Sequence, residues 1–403
     1  MRKSTPAAAI FLFAVALVAR AAELPRRITV FAGDYDRRDS IVCCTVPADA
    51  RPFHQLQDEQ GNFIPIQTDN EIQACFVEKD LNRGSVKTYR LAAPERGPNP
   101  RASVQVAREG GRLKCAIGEQ LVFYYQAEMS ELPRPDIKPI FKRGGYLHPV
   151  LTPSGKLITD DYPSNHLHHH GIWFPWTKTE FEGRQPDFWN MGEGKGTVEF
   201  VALDRTWSGP VHGGFQTRHR FVDLTAPEPR VALNETWQVT LYNVGPGAAR
   251  YWMFDLVSTQ QCATASPLIL PKYYYGGLGV RGNWAWNGKD KTFFLTSEGE
   301  TDRVKGNETR GRWCHISGDA DGARAGIAVL CHPDNFRAPQ PMRLHPAEPF
   351  FCFAPQQAGD MEIMPGKPYV SRYRFIVADG PPDKTELERL WNDYAHPPTA
   401  RIE

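Results

Sequence analysis

The sequence predicts an all-β protein: a large antiparallel β-sandwich preceded by a small β-sandwich domain, with one C-terminal helix. Three observations lead there. Short runs alternate polar and apolar residues with a period of two, as in residues 215–221 and 231–241, which fits strands half buried in antiparallel sheets. Gly and Pro stand at 34 each beside ten Trp, a turn-rich composition unlike that of a helical bundle. No strand–helix alternation runs along the chain, so a doubly wound parallel sheet is not expected.

Taken in order, residues 1–22 read as a secretory signal peptide. Arg2 and Lys3 form a charged start, residues 7–18 an apolar stretch short for a membrane span, and Ala19, Arg20 and Ala21 a small-x-small cleavage pattern. The alternative is an uncleaved anchor. No later segment is apolar for long enough to cross a bilayer, so the processed chain is expected to be exported, periplasmic or extracellular, and free of the membrane. Residues 23–97 form a small β domain and linker. Its strand candidates lie at 27–31, 41–45 and 85–91, and 93–101 is rich in Pro and Gly. Residues 98–403 form the large β-sandwich domain, with strand candidates at 103–108, 120–125, 196–203, 215–221, 231–241, 251–257, 326–330 and 369–377. Asp383 is placed to cap the final helix, whose Leu387, Leu390, Trp391 and Tyr394 share one face.

Charge narrows the partners. Lys plus Arg (47) and Asp plus Glu (46) nearly cancel, which argues against nucleic acid or an anionic membrane surface. The eight cysteines show no CxxC or other metal-ligand spacing; most are expected to be buried small hydrophobes, with one or two disulfides. Asn234 and Asn307 each begin a glycosylation sequon.

Five of the twelve histidines fall between residues 144 and 176: His148, His166, His168, His169 and His170. Imidazole moves protons, binds metals and holds polar ligands near neutral pH, so this His-rich loop is the leading functional surface. In an extended strand His166, His168 and His170 would share one face and His169 the other. Such a face can serve as a metal-free polar or catalytic site, as a three-histidine site for a divalent metal, or as buried structure. No HExxH pattern is present, so a zincin is excluded. Asp160 or Asp161 can orient the imidazoles or act as base, or simply cap the turn before Pro163.

Trp173, Trp176 and Trp189 interleave with carboxylates, a pairing that suits sugar rings as well as ordinary core packing. Residues 192–197 lack the P-loop spacing and lead into a strand, so no phosphate site is read there. Two later segments concentrate binding side chains: residues 273–284, with Arg281 and Asn283, and residues 332–337, with His332, Asn335 and Arg337. Together with the His-rich loop they could wall one cleft.

The stretches HPVLTPSGKLITDDYPSNHLHHHGIWFPW, YYYGGLGVRG and GIAVLCHPDNFRAPQP together resemble an exported bacterial family labelled PmoA-like or methane-oxygenase-like, otherwise described as a domain of unknown function. The resemblance runs from about Ala102 to the tail, and the N-terminal strands resemble the small β domain found ahead of it. The label implies methane oxidation, which the sequence contradicts: such a subunit spans the membrane several times, and this chain has no span beyond its leader. The resemblance implies a galactose-mutarotase-like supersandwich, in which a cleft on the large sheet binds sugars with His and carboxylate groups. It supplies no agreed catalytic set.

The expected function is therefore an exported carbohydrate-active protein working on a sugar or glycoside by acid–base chemistry. His166, His168, His170, Asp160 and Asp161 are the catalytic candidates. His148, Trp173, Trp176, Arg281, Asn283, His332, Asn335 and Arg337 are the substrate-binding candidates. No cofactor is expected; if a divalent metal were used, His166, His168 and His170 would hold it. The alternatives are a non-catalytic glycan-binding protein and a metal-dependent enzyme.

Overall fold

A computed structural model describes residues 27–45, 55–69, 73–92, 103–128, 131–244 and 251–402. The expected signal peptide and the linker at 93–101 lie outside the described residues, apart from the linker's neighbours on either side.

Two large antiparallel sheets face one another. One runs, in spatial order, Gly196–Trp207, His212–Asp223, Arg230–Tyr242, Tyr251–Cys262, Tyr369–Asp379, Ala323–Cys331, Trp313–Ala320 and Phe293–Thr296. The other runs Arg310–Gly311, Gln340–Leu344, Phe350–Phe353, Gly279–Arg281, Ile172–Trp173, Tyr146–Val150, Gln120–Gln126, Arg112–Ile117 and Val104–Glu109. Alternation does what the sequence predicts. Along Arg230–Tyr242, Leu233, Glu235, Trp237, Val239 and Leu241 bury inward while Asn234, Thr236, Gln238 and Thr240 between them are less buried. The two inner faces interlock through pairs such as Phe123 and Phe254, whose rings lie 4.8 Å apart.

The core also holds a polar chain. Glu235 accepts from Ser258 Oγ (2.6 Å) and Gln260 Nε2 (2.9 Å), and lies 3.0 Å from His219 Nδ1. His219 Nε2 meets the Tyr125 hydroxyl. Burial pushes the Glu235 carboxyl up, but His219 and its other donors more than offset this and hold it below its ordinary range. Gly145 lies against this chain, since a Cβ there would stand 2.9 Å from His219 Nε2 in a backbone with φ +77°.

The helix Lys384–Ala395 covers the outer face of the first sheet, setting Leu387 and Leu390 on Tyr251, Met253, Trp313, Leu330 and Ile376. Its Asp383 cap accepts from the amides of Thr385 and Glu386, as read from the sequence. The N-terminal strands build a smaller two-sheet unit around Ile28, Val30, Leu56, Phe76 and Tyr89. Its edge is completed by Thr399–Ile402, a strand the sequence reading did not pick out, with Ile28 opposite Ile402. A buried ion pair, Arg37 to Asp393 at 2.9 Å, fastens this unit to the helix. Cys43 and Cys75, facing across neighbouring strands, form a disulfide; Cys44, Cys115, Cys314, Cys331 and Cys352 are free and buried.

Candidate functional site

Five adjacent strands of the nine-stranded sheet create the site by period-two alternation. Leu147, Ile172, Val280, Phe351 and Met342 point into the main core. Their neighbours Tyr146, Trp173, Arg281, Phe350 and Arg343 must therefore emerge on the opposite face. Over that face lies the His-rich loop, which joins Tyr146–Val150 to Ile172–Trp173.

The loop is a run of turns instead of the extended strand expected. The His166 amide donates to the Pro163 carbonyl (2.9 Å) and the His169 amide to the His166 carbonyl (2.8 Å). Residues three apart in such turns sit above one another, so His166 and His169 stack with ring centres 4.7 Å apart at 17°. His168 meets His169 edge-on at 4.8 Å, and His345 meets His166 at 5.9 Å. The loop re-enters the sheet at Gly171, where a Cβ would lie 2.2 Å from the Leu147 carbonyl oxygen, so only glycine fits.

This regrouping corrects the predicted face. His170 leaves the other histidines and is fully buried, with its Nδ1 2.7 Å from Asp161 Oδ1. Asp161 Oδ2 accepts from the Tyr146 hydroxyl (2.9 Å), and His170 Nε2 has no partner. Burial pushes the His170 imidazole down against the pull of Asp161, so the contact is a hydrogen bond to a neutral ring. Because His170 is held there, the trio His166, His168 and His170 forms no metal-holding group. Among the described residues no cluster of three or more His, Cys, Asp or Glu is arranged to hold a metal. His148, half-buried, hydrogen-bonds Thr159 at 3.0 Å. Asp160 points elsewhere; burial raises its carboxyl to about 6, with Arg281 opposing.

His166, His168, His169 and His345 line a cleft of about 230 Å³ with Trp189, Phe350, Asn190, Tyr274, Tyr275 and Arg343. Burial, then the other imidazoles and Arg281, push His168 down to about 3 and His169 well below its ordinary value. His345 is likewise pushed to about 3 by burial and Arg343, and His166 is lowered by burial and Arg281. At neutral pH all four are uncharged. Two have fixed tautomers. His345 Nδ1 accepts the Glu348 amide (2.8 Å) and His169 Nδ1 faces Arg281 Nη1 (3.4 Å), so each carries its proton on Nε2.

The match to a family model covers residues 112–392 and carries the description "Family of unknown function (DUF6807)". The chain belongs to this family. That description contains no methane-oxygenase label, so the family is shown while the label is not. No curated protein matches the sequence. Among solved structures, the fold is similar to an α-mannosidase from Enterococcus faecalis V583, with a TM-score of 0.41, 12% identity and coverage of 94% of this chain and 46% of that one. It is also similar to a protein in the glycosyl hydrolase family 38 from Enterococcus faecalis, with a TM-score of 0.41, 10% identity and coverage of 94% and 47%. The chain thus spans about half the length of these structures, and neither likeness bears on what it binds.

In this DUF6807 chain several predicted ligand contacts prove structural. Trp173 and Trp176 are 0% exposed, so neither can offer a face to a sugar. Trp176 sits in the main core with its indole N–H on Gln260 (2.6 Å), and Trp173 lies beneath the cleft against His169 and Trp189. Arg281 is also 0% exposed; its guanidinium reaches Asn287 (2.8 Å), Asn165 (3.3 Å) and Glu348 (3.4 Å), knitting the loop to the sheet instead of gripping a ligand. Asn283 caps a short 3₁₀ turn. The segment 332–337 does not join the cleft. His332 packs on Tyr394, Asn335 bonds the Arg372 backbone, and Arg337 donates to the carbonyls of Pro355, Gly359 and Asp360.

The residues missed are Asn190, Arg343, His345 and Phe350. His345 had a signal: His345, Pro346, Glu348 and Pro349 make a polar turn between two apolar runs.

A larger cleft of about 560 Å³ lies under the C-terminal helix, far from these histidines in the fold, against Tyr251, His315 and Ile376. Its charged rim is already neutralised, Arg38 by Glu386, Asp39 by Lys79 and Asp379 by Lys156. The smaller cleft, with its unengaged imidazoles, is the better candidate.

Proposed function

We propose that this is a carbohydrate-active protein whose His-lined cleft takes a sugar of about one ring, the size its volume fits. One observation carries the reading: four neutral imidazoles meet an aromatic wall of Tyr274 and Tyr275, backed by the buried Trp189 and Phe350, in a single small cleft. Apolar ring faces offer sugar C–H groups a surface, while neutral imidazoles both donate to and accept from hydroxyls. Among the described residues His168 makes no side-chain hydrogen bond, and it lines the cleft, so it is the group placed to exchange a proton with the ligand. Asp161 and His170 support the loop from behind.

Calorimetric titration of the purified protein against a monosaccharide panel tests this. Binding is expected, with a loss of about tenfold or more for His168→Ala. No binding by any sugar, or full binding by His168→Ala, overturns it. Turnover that vanishes in His168→Ala while ligand still binds identifies an enzyme; binding without turnover identifies a glycan-binding protein.

We also propose export, supported by the N-terminal leader pattern and by the Cys43–Cys75 disulfide, a bond that persists in oxidising compartments. Recovery of the full-length chain only from the cytoplasm would overturn it.

A further inference from the structure

We infer that the ligand of this cleft is an anionic sugar, its charge carried by a carboxylate or sulfate, which rests on the sugar reading above. The argument is the inventory of the lining. No Asp or Glu lines the cleft. The nearest carboxylates are spent in its walls. Asp187 accepts from the amides of Trp189 (2.8 Å) and Asn190 (2.9 Å) and from the Asn190 side chain (2.7 Å). Glu348 accepts from Asn165 (2.6 Å) and Arg281 (3.4 Å). The lining instead carries donors, the Nε2–H groups of His169 and His345 and the guanidinium of Arg343, while the Tyr275 hydroxyl is shared with Asn190 (3.0 Å).

Arg343 is the deciding member. Among the described residues its guanidinium makes one hydrogen bond, to a neutral amide, Asn307 Oδ1 at 3.2 Å, and no ion pair. Its guanidinium lies 5.2 Å from the Tyr274 ring centre. A guanidinium at a cleft mouth with no carboxylate beside it is suited to grip a ligand carboxylate or sulfate through paired N–H groups. A neutral sugar gains nothing from that positive charge, so the guanidinium favours an anionic ligand over its neutral counterpart.

The test titrates the full protein with glucuronate, galacturonate and glucose 6-sulfate against glucose and galactose. Acidic sugars are expected to bind about tenfold or more tighter than their neutral counterparts. Arg343→Met should cut that preference about tenfold, and Arg343→Lys, which keeps the charge, should retain most of it. The carboxylate and sulfate arms identify which anion is taken. Equal or tighter binding of neutral sugars, or an unchanged preference in Arg343→Met, overturns the anionic inference and leaves the sugar reading standing. Should no sugar of either class bind, both fall.

Discussion

Asp161→Asn isolates the support behind the His-rich loop. Asp161 serves two buried partners with its two oxygens, His170 Nδ1 at 2.7 Å and the Tyr146 hydroxyl at 2.9 Å. An asparagine has one oxygen to offer. If Tyr146 keeps it, the new NH₂ faces His170 Nδ1 and the ring proton must move to Nε2. That atom is buried with no acceptor in reach. A stranded buried donor costs about 1–3 kcal/mol and the lost charge-assisted bond about 1.5 kcal/mol more, so the change should cost about 2.5–4.5 kcal/mol. Asp160→Asn is the contrast. Its carboxyl is already raised to about 6, and one of its oxygens has no partner, so neutralising it should cost under about 1 kcal/mol. Urea unfolding of both variants, compared at a common denaturant slope, reads the two costs, and imidazole ¹⁵N shifts read the His170 tautomer. A loss under about 0.5 kcal/mol for Asp161→Asn, or a larger loss for Asp160→Asn, would refute the reasoning.

Three further outcomes are expected. Replacing Cys43 and Cys75 by serine opens a loop with a sequence separation of 32, which should cost about 3–4 kcal/mol in a urea titration, against no change when the free Cys262 is replaced. Glu235→Ala strands His219, Ser258 and Gln260 in the core and should cost about 3–5 kcal/mol, measured the same way, with a loss near zero counting against the polar chain. His168, His345 and His315 are each held down to about 3 by burial, so they bind protons more weakly folded than unfolded. Their contribution is complete above the ordinary histidine value of about 6.5 and is lost as pH falls from there towards about 3, while Asp160, raised to about 6, has the opposite sign and offsets a part. Urea midpoints should therefore drop between about pH 7 and about pH 4; a flat profile would contradict the burial of these rings.

The sheets were legible because period-two alternation reports directly which side of a strand meets the core, and runs such as Arg230–Tyr242 and Tyr369–Asp379 show it plainly. The final helix was legible from Asp383 and the spacing of Leu387 and Leu390. The His-rich loop was found but misread. A strand pattern was imposed on residues that Pro163 and the left-handed Tyr162 (φ 49°) turn into successive tight turns, and this changed which imidazoles share a face. Trp173 and Trp176 could not be placed, since composition says nothing about which side of a two-sided sheet a large ring will occupy. Arg343 and His345 were out of reach for another reason. They arrive from a hairpin far along the chain, and only the order of strands in the sheet brings them beside His166.

The strand Thr399–Ile402 on the edge of the first unit sets an order of events during synthesis. Its other strands are made before the large sheets, yet its sheet lacks its edge strand until residues near 400 are available to lie along Arg27–Phe31. The same wait applies to Arg37, whose buried charge stays uncompensated until Asp393 arrives. Early chain segments are thus kept from locking into their final form while later ones are still being made. Under the export proposed above, that delay would leave the N-terminal unit unfinished during passage, with its last strand added only once both ends stand on the same side.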